Sequence, residues 1–305
     1  MNRPAPHPFS LRQLQYVVAV ADHASFRRAA EACAVAQPSL STQIAQLEEA
    51  LGFRLFERLP RKVVVTAAGA PFLERARRIL VEADDARAAA ETLRDPLSGA
   101  VRIGVIPTVA PYVLPELAPA LRRAFPRLQV FWFEEKTGEL LARIAAGERE
   151  AGLLAAESDL GELSCVPLGR DEFVLAVPKG HRLARSKAAL GLDALEGETV
   201  LLLEDGHCFR DQALAVCQRA AASEASVRAT SLSTLAQMVA GGAGITLLPK
   251  IALSIENRAR TIVPRALSPR APHRTLALAF RKSVPSAATL SAIADVMRGV
   301  ISGKR

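Results

Sequence analysis

The sequence predicts an α/β protein with a small helical head and a larger α/β body, and three observations carry that prediction. Apolar residues between Leu11 and Leu51 recur at spacings of three and four, as on amphipathic helices. A single long helical pattern follows and ends at the turn-and-linker stretch "DPLSGA", residues 95–100. Beyond it, eight short β-rich runs alternate with helical stretches up to Phe280, which indicates an α/β class with largely parallel sheets. A chain of 305 residues also exceeds one ordinary core, so two or three domains of roughly 100–200 residues are expected.

Leu11, Leu14, Val17, Val18 and Ala21 mark the first helix. Ser25 is placed to cap a second, whose face carries Phe26, Ala29, Ala30 and Cys33. After a break at 34–37, Pro38 suits the first turn of a third helix that buries Leu40, Ile44, Leu47 and Leu51 and stops at Gly52. That helix offers Ser39, Ser41, Thr42 and Gln43 near its start. Two helices joined by a short turn, the second presenting small hydroxyl and amide groups, have the layout of a helix-turn-helix that reads base edges. The stretch "FRLFERLPRKVVVTAAG" then reads as a basic hairpin, with Arg58, Arg61 and Lys62 set to meet phosphates. An ordinary helical subdomain with a solvated basic loop fits the spacing as well.

Thr66 caps the long helix, predicted to run to about Arg94, with Leu73, Ala76, Leu80, Ala83, Arg87 and Ala90 forming an alanine-rich seam suited to a partner helix. The strand candidates are 101–107, 128–134, 151–156, 173–178, 199–204, 225–231, 244–249 and 274–280. In α/β sheets ligands gather beyond the carboxyl ends of strands. Thr108, Thr137 and the turn at 205–210 all follow a strand or its loop.

The formal charge of +8 does not by itself indicate nucleic acid, because residues 1–65 carry eight Lys/Arg against five Asp/Glu and most of the excess lies later. The N-terminus carries no apolar run of signal-peptide length, and no segment approaches the roughly 18–20 apolar residues of a membrane span. A cytoplasmic protein is expected. Cysteines at 33, 165, 208 and 217 form neither a secreted disulfide framework nor a zinc spacing, and no metal or cofactor is predicted. Cys33 and Cys165 sit on apolar stretches and are expected to be buried and structural. Cys208 and Cys217 share "DGHCFRDQALAVC". If that segment is helical, nine residues rise about 13.5 Å, roughly twice the longest Cα separation of about 6.8 Å that a disulfide spans.

The stretch from Phe9 to Gly69 resembles the DNA-binding domain of the LysR-type transcriptional regulators along its whole length, which favours the helix-turn-helix reading. Ala36 departs from the serine frequent in that family before the Gln-Pro pair, here Gln37-Pro38. The stretches "GVIPTVAPYVLP", "LLLEDGHCFRDQALAVC" and "RATSLSTLAQMVAGGAGITLLP" are similar to the members of that family that sense hydrogen peroxide.

The resemblance implies a winged helix-turn-helix over 1–65, a linker and dimerisation helix over 66–95, and a regulatory domain over 96–305 with two α/β subdomains like those of periplasmic binding proteins. It implies Gln37, Pro38, Ser39, Ser41, Thr42, Gln43, Arg58, Arg61 and Lys62 as DNA contacts. It implies Cys208 as the thiol that meets hydrogen peroxide and Cys217 as its resolving partner, with Thr108, Thr137, His207, Arg210 and Asp211 around them. Homodimers or homotetramers on double-stranded DNA and contact with RNA polymerase are further implications. On this reading the helix dipole and the neighbouring His207 and Arg210 favour the Cys208 thiolate, and bonding the pair requires the helix to refold. Two other readings stay open: a regulator of the same fold that binds a small organic effector, and a thiol peroxidase carrying a DNA-binding domain.

Overall fold

Serine side chains start two of the first three helices. In the computed structural model of the chain, which describes residues 7–59, 62–92, 97–185, 188–268 and 271–303, the Ser10 hydroxyl accepts from the Gln13 N–H at 3.3 Å while the Gln13 side chain accepts from the Ser10 N–H at 2.9 Å. This reciprocal cap opens α1 (Leu11–His23). Ser25 caps α2 (Phe26–Ala32) through the Arg28 N–H. Helix α3 (Gln37–Leu51) begins after Ala36, which supplies no side-chain cap, and ends at Gly52, whose φ of 77° is the left-handed stop that glycine favours. A hairpin of β1 (Phe56–Leu59) and β2 (Lys62–Val65) follows. Glu48 Oε1 accepts from the N–H groups of Leu55 and Phe56 at 2.7 and 3.1 Å, fixing the hairpin to the end of α3. The Thr66 hydroxyl accepts from the Gly69 N–H at 2.9 Å and opens α4 (Gly69–Thr92); its predicted extension to Arg94 lies outside the described residues. Val17, Val20, Ala29, Leu40, Ile44, Leu47 and Leu55 form the core of this first unit, which spans Met1–Ala90, and Leu73 of α4 joins them.

The second unit, Glu91–Arg305, contains β3 (Gly99–Val105), α5 (Ala110–Ala124), β4 (Leu128–Glu134), α6 (Thr137–Ala145), β5 (Ala151–Ala155) and β6 (Ser164–Pro178). It continues with β7 (Thr199–Leu203), α7 (Cys208–Arg219), β8 (Ser223–Ala229), α8 (Leu232–Ala240), β9 (Thr246–Pro249), α9 (Leu253–Glu256), β10 (Ile262–Arg265), β11 (His273–Phe280) and α10 (Ala287–Ser302). Strand β6 is fifteen residues long and serves two lobes. Residues 164–172 pair with β11, in the lobe of β3, β4 and β5; residues 173–178 pair with β9 and β10, in the lobe that carries β7 and β8.

The sheets are mixed, not largely parallel. β3 runs parallel to β4 and β5, and β7 to β8, whereas β11 is antiparallel to β5 and β6, and β6 to β9 and β10. The alternation of strands and helices reports connections between sequence neighbours only. The antiparallel pairs are made by β11, returning from the end of the chain, and by the crossover strand β6.

Candidate thiol site and DNA-binding surface

The α7 segment folds as one helix with Cys208 as its first residue and Cys217 in its last turns. Both thiols are free. Helical rise separates them by about 13.5 Å along the axis. Cys208 is half-buried, whereas Cys217 is only 2% exposed, and burial pushes its thiol up to about 11. His207 caps the helix with its backbone and is 4% exposed, and among the described residues its Nε2 has no hydrogen-bond partner. Burial and then the Lys136 ammonium push the imidazole below its ordinary range, leaving it neutral at neutral pH.

The start of α7 is held by charge. Arg210 is buried, and its guanidinium meets Asp205 at 2.9 Å, Glu224 at 2.9 Å and the Leu203 carbonyl at 2.9 Å; Arg228 closes the cluster on Asp205 at 3.0 Å. The cation that the sequence offered to the thiol is therefore matched by carboxylates and ties α7 to β7 and β8. Asp211 is exposed in the first turn of α7, outside that cluster.

Thr108 is buried between β3 and α5. Its hydroxyl and carbonyl both accept from Arg274, at 2.7 and 2.9 Å. Arg274 is fully buried and pairs at 2.9 Å with Asp171, its cross-strand partner on β6. Burial pushes the Asp171 carboxyl up, against the pull of Arg274 and of the Ile251 N–H. The Arg274 guanidinium lies 5.7 Å from the centre of the Phe209 ring, next to Cys208 in the chain, and Phe209 stacks edge-on against Phe173 at 5.0 Å. Thr137, also buried, is the first residue of α6, and the preceding Lys136 bonds Glu204 in the loop ahead of α7. Arg274 thus links Thr108 to Phe209 at the head of α7, and Lys136 links the start of α6, where Thr137 lies, to the loop ahead of His207 and Cys208. There is a third tie: the Tyr112 hydroxyl on α5 donates to Glu256 on α9 at 2.7 Å, and Ser233 on α8 donates to the same carboxylate.

Arg274, Asp171 and Lys136 were not singled out from the sequence. The visible signals were a charge at the start of the apolar run 274–280 for Arg274 and a charge two residues ahead of the run 173–178 for Asp171, and they acquire meaning only from the register that makes them partners. Cys165 departs from the expected burial. It is exposed on β6, where its neighbour in the alternation, Val166, turns toward the core. Cys33 is half-buried at the end of α2. Among the described residues no cluster of His, Cys, Asp or Glu is placed to hold a metal ion, and no helix is long and apolar enough to cross a membrane.

In the first unit Gln37, Pro38, Ser39 and Thr42 are exposed on the first turns of α3, while Ser41 and Gln43 are half-buried. The Thr42 hydroxyl donates back to the Pro38 carbonyl at 3.0 Å, and the Gln43 carbonyl accepts from the Gln13 side chain at 3.3 Å, joining α3 to α1. Lys62 is exposed at the start of β2. Arg58 occupies β1 opposite Val63, and Arg61 lies outside the described residues.

The comparisons with known proteins agree with both units. Residues 11–70 match the family described as bacterial regulatory helix-turn-helix protein, lysR family, and residues 94–301 match the LysR substrate binding domain. The chain is 41% identical over 290 residues to the hydrogen peroxide-inducible genes activator of Dickeya chrysanthemi, covering 95% of each. A full-length OxyR variant from Pseudomonas aeruginosa superposes with a TM-score of 0.78 at 32% identity, covering 96% of each chain. A hydrogen-peroxide-bound variant of Corynebacterium glutamicum OxyR superposes with a TM-score of 0.67 at 31% identity, covering 99% of this chain and 95% of the other. The chain belongs to the LysR family of bacterial transcriptional regulators, in its OxyR group of hydrogen peroxide-inducible genes activators.

Proposed function

We propose that this regulator of the peroxide response senses hydrogen peroxide through Cys208 and converts the oxidation into a refolding of α7. The observation that carries the reading is the juxtaposition at the head of that helix: a half-buried thiol at the first helical position, beside a buried imidazole nitrogen with no partner among the described residues, with a second thiol buried nine positions on. The Cys208 thiolate attacks one peroxide oxygen and the O–O bond breaks. Sulfur keeps one oxygen as sulfenic acid, and the other leaves as hydroxide and takes a proton to become water. Cys217 then attacks the Cys208 sulfur, forming the disulfide and releasing the second oxygen as water. The His207 Nε2 and the Thr108 and Thr137 hydroxyls are the groups placed to hold peroxide or orient the thiol.

The intact helix forbids the second step, because its two ends stay about 13.5 Å apart. Resolution therefore requires α7 to open and its charge cluster to break. The first unit carries the response to DNA, with the start of α3 in the major groove and the β1–β2 wing on phosphates. Along α4, Ile79 is 40% exposed and Leu80, Val81 and Ala83 are half-buried within their own unit, which supports pairing through this helix into dimers and tetramers. Contact with RNA polymerase and a cytoplasmic location complete the reading. The family is one of transcriptional regulators, not an enzyme class.

The test is a mass map of the full chain before and after one equivalent of peroxide, with the remaining thiols labelled after quenching and unfolding. Cys208 and Cys217 are expected to lose label together while Cys33 and Cys165 keep it. If Cys208 and Cys217 stay labelled while DNA footprints remain insensitive to peroxide, the cleft is that of a small-effector regulator instead.

A further inference from the structure

Lys136 ends the loop between β4 and α6 and stands one residue ahead of Thr137. Its carbonyl accepts from the Leu140 N–H at 2.9 Å, so its backbone is fixed by the first turn of α6. Its side chain leaves that helix and crosses to the other lobe. There the ammonium bonds the Glu204 carboxylate and reaches the Asp205 carbonyl at 3.4 Å. The aliphatic stem passes over Gly206, where a Cβ would stand 3.3 Å from Lys136 Cδ. One side chain thus touches three successive residues of the loop that delivers His207 and Cys208. We infer that Lys136 is a positioning residue for Cys208, which fastens the 204–206 loop to the start of α6 and neutralises Glu204, the carboxylate of that loop that Arg210 leaves unmatched.

Charge accounting supports this role. Arg210 is already matched by Asp205 and Glu224, and His207 is neutral. That leaves Glu204 as the loop acid for which Lys136 is the cation, and Lys136 holds the Glu204 carboxyl below its ordinary range. An unmatched carboxylate beside a cysteine opposes its thiolate, and an unmatched ammonium favours it. The two members of the pair therefore act on Cys208 with opposite signs.

The inference rests on the reading of Cys208 as the peroxide-reactive thiol, and its test separates the two. In the full-length protein, the pH profile of Cys208 alkylation by iodoacetamide, read by peptide mass, needs no peroxide. Lys136→Met is expected to move the midpoint up and to slow peroxide oxidation below that midpoint by the matching factor, about tenfold in thiolate for each pH unit moved. Lys136→Arg, which keeps charge and reach, is expected to stay within about twofold of the unsubstituted protein, a small electrostatic difference on that scale. Glu204→Gln is expected to move the midpoint down, because it leaves the ammonium unmatched. A Lys136→Met protein with an unchanged midpoint, or one oxidised more slowly at an unchanged midpoint, overturns the inference; the second pattern is what a merely loosened loop gives. Should Lys136→Met fail to fold by thermal melting and DNA binding, Glu204→Gln decides alone, and a midpoint that does not fall overturns it. If peroxide leaves Cys208 intact in the unsubstituted protein, the sensing reading fails while the alkylation profiles still decide the role of Lys136.

Discussion

In the proposed mechanism Cys217 is the residue that makes the oxidation wait for a conformational change. Its burial favours the protonated thiol in the docked helix. A folded-state value raised to about 11 means that docking of α7 draws full benefit from this thiol below its exposed range, about pH 8.5, and loses it as pH rises through about 11. In reduced protein Cys217 is therefore expected to resist alkylation near neutral pH, to react far more slowly than Cys208, and to become reactive as pH approaches about 11; equal rates for the two at pH 7 would show that the helix does not protect it. Cys208→Ser should abolish the peroxide response while leaving basal DNA binding intact. Cys217→Ser should still consume peroxide but stop at sulfenic acid or beyond, which mass spectrometry of the 208 peptide distinguishes. Arg274 makes a different kind of prediction. Removing it strands Asp171 and the Thr108 carbonyl in the interior. Arg274→Met should cost about 3–5 kcal/mol in urea unfolding, and a loss under about 1 kcal/mol would mean that water reaches the carboxylate.

In the proposed switch helix α7 is the element that moves, and the bonds at its start set how readily it does. Arg210 joins it to Asp205, Glu224 and the Leu203 carbonyl, whereas at its far end the Cys217 and Val216 side chains are held by apolar burial and the Cys217 carbonyl accepts from the Ala222 N–H at 3.1 Å. Oxidation is expected to raise hydrogen exchange from Phe209 to Val216, reversibly with reductant; a 208–217 disulfide formed with unchanged exchange would refute the refolding step. Much at this scale was legible beforehand. Ser25, Pro38 and Gly52 punctuate three amphipathic helices, and "LQVFWFE" folds as a strand with the bounds read from sequence. The first half of β6 was not, because "SCVPLGRDE" holds a proline, a glycine and three charges, and it becomes a strand only by pairing with β11 a hundred residues on. Strand β10, "IVPR", is equally broken in pattern and exists as a partner of the end of β6. The place of Cys208 and Cys217 on one helix was legible from local pattern, while their pairing was an implication of the family resemblance. Arg274–Asp171 and Lys136–Glu204 were not, since 103 and 68 residues separate the partners and only the tertiary pairing joins them.

At the scale of the whole molecule, the proposed switch requires one oxidised thiol in the second unit to alter what the first unit does on DNA, and one helix start with a wing of two four-residue strands makes a small contact for a regulator. A two-fold assembly removes that difficulty by doubling the contact and making half-site spacing part of recognition. It also gives the switch a lever: a change in how subunits are arranged alters the spacing without touching any base-reading residue. Light scattering of the full-length chain at micromolar concentration should therefore show at least a dimer, and substitution of Ile79 and Leu80 on α4 by charged residues should reduce mass and operator affinity together. Lys62→Ala should act differently, weakening binding to operator and unrelated DNA alike and lowering the salt slope by about one, as the loss of one phosphate contact requires. The decisive measurement joins the two ends of the molecule. Footprints of oxidised and reduced protein on the same operator should differ in the spacing of protected half-sites, with the protected bases within each half-site unchanged, and Cys208→Ser should hold the reduced spacing in the presence of peroxide. If oxidation instead changed the bases protected within a half-site while leaving the spacing fixed, the signal would act on α3 itself and the assembly would not be its carrier.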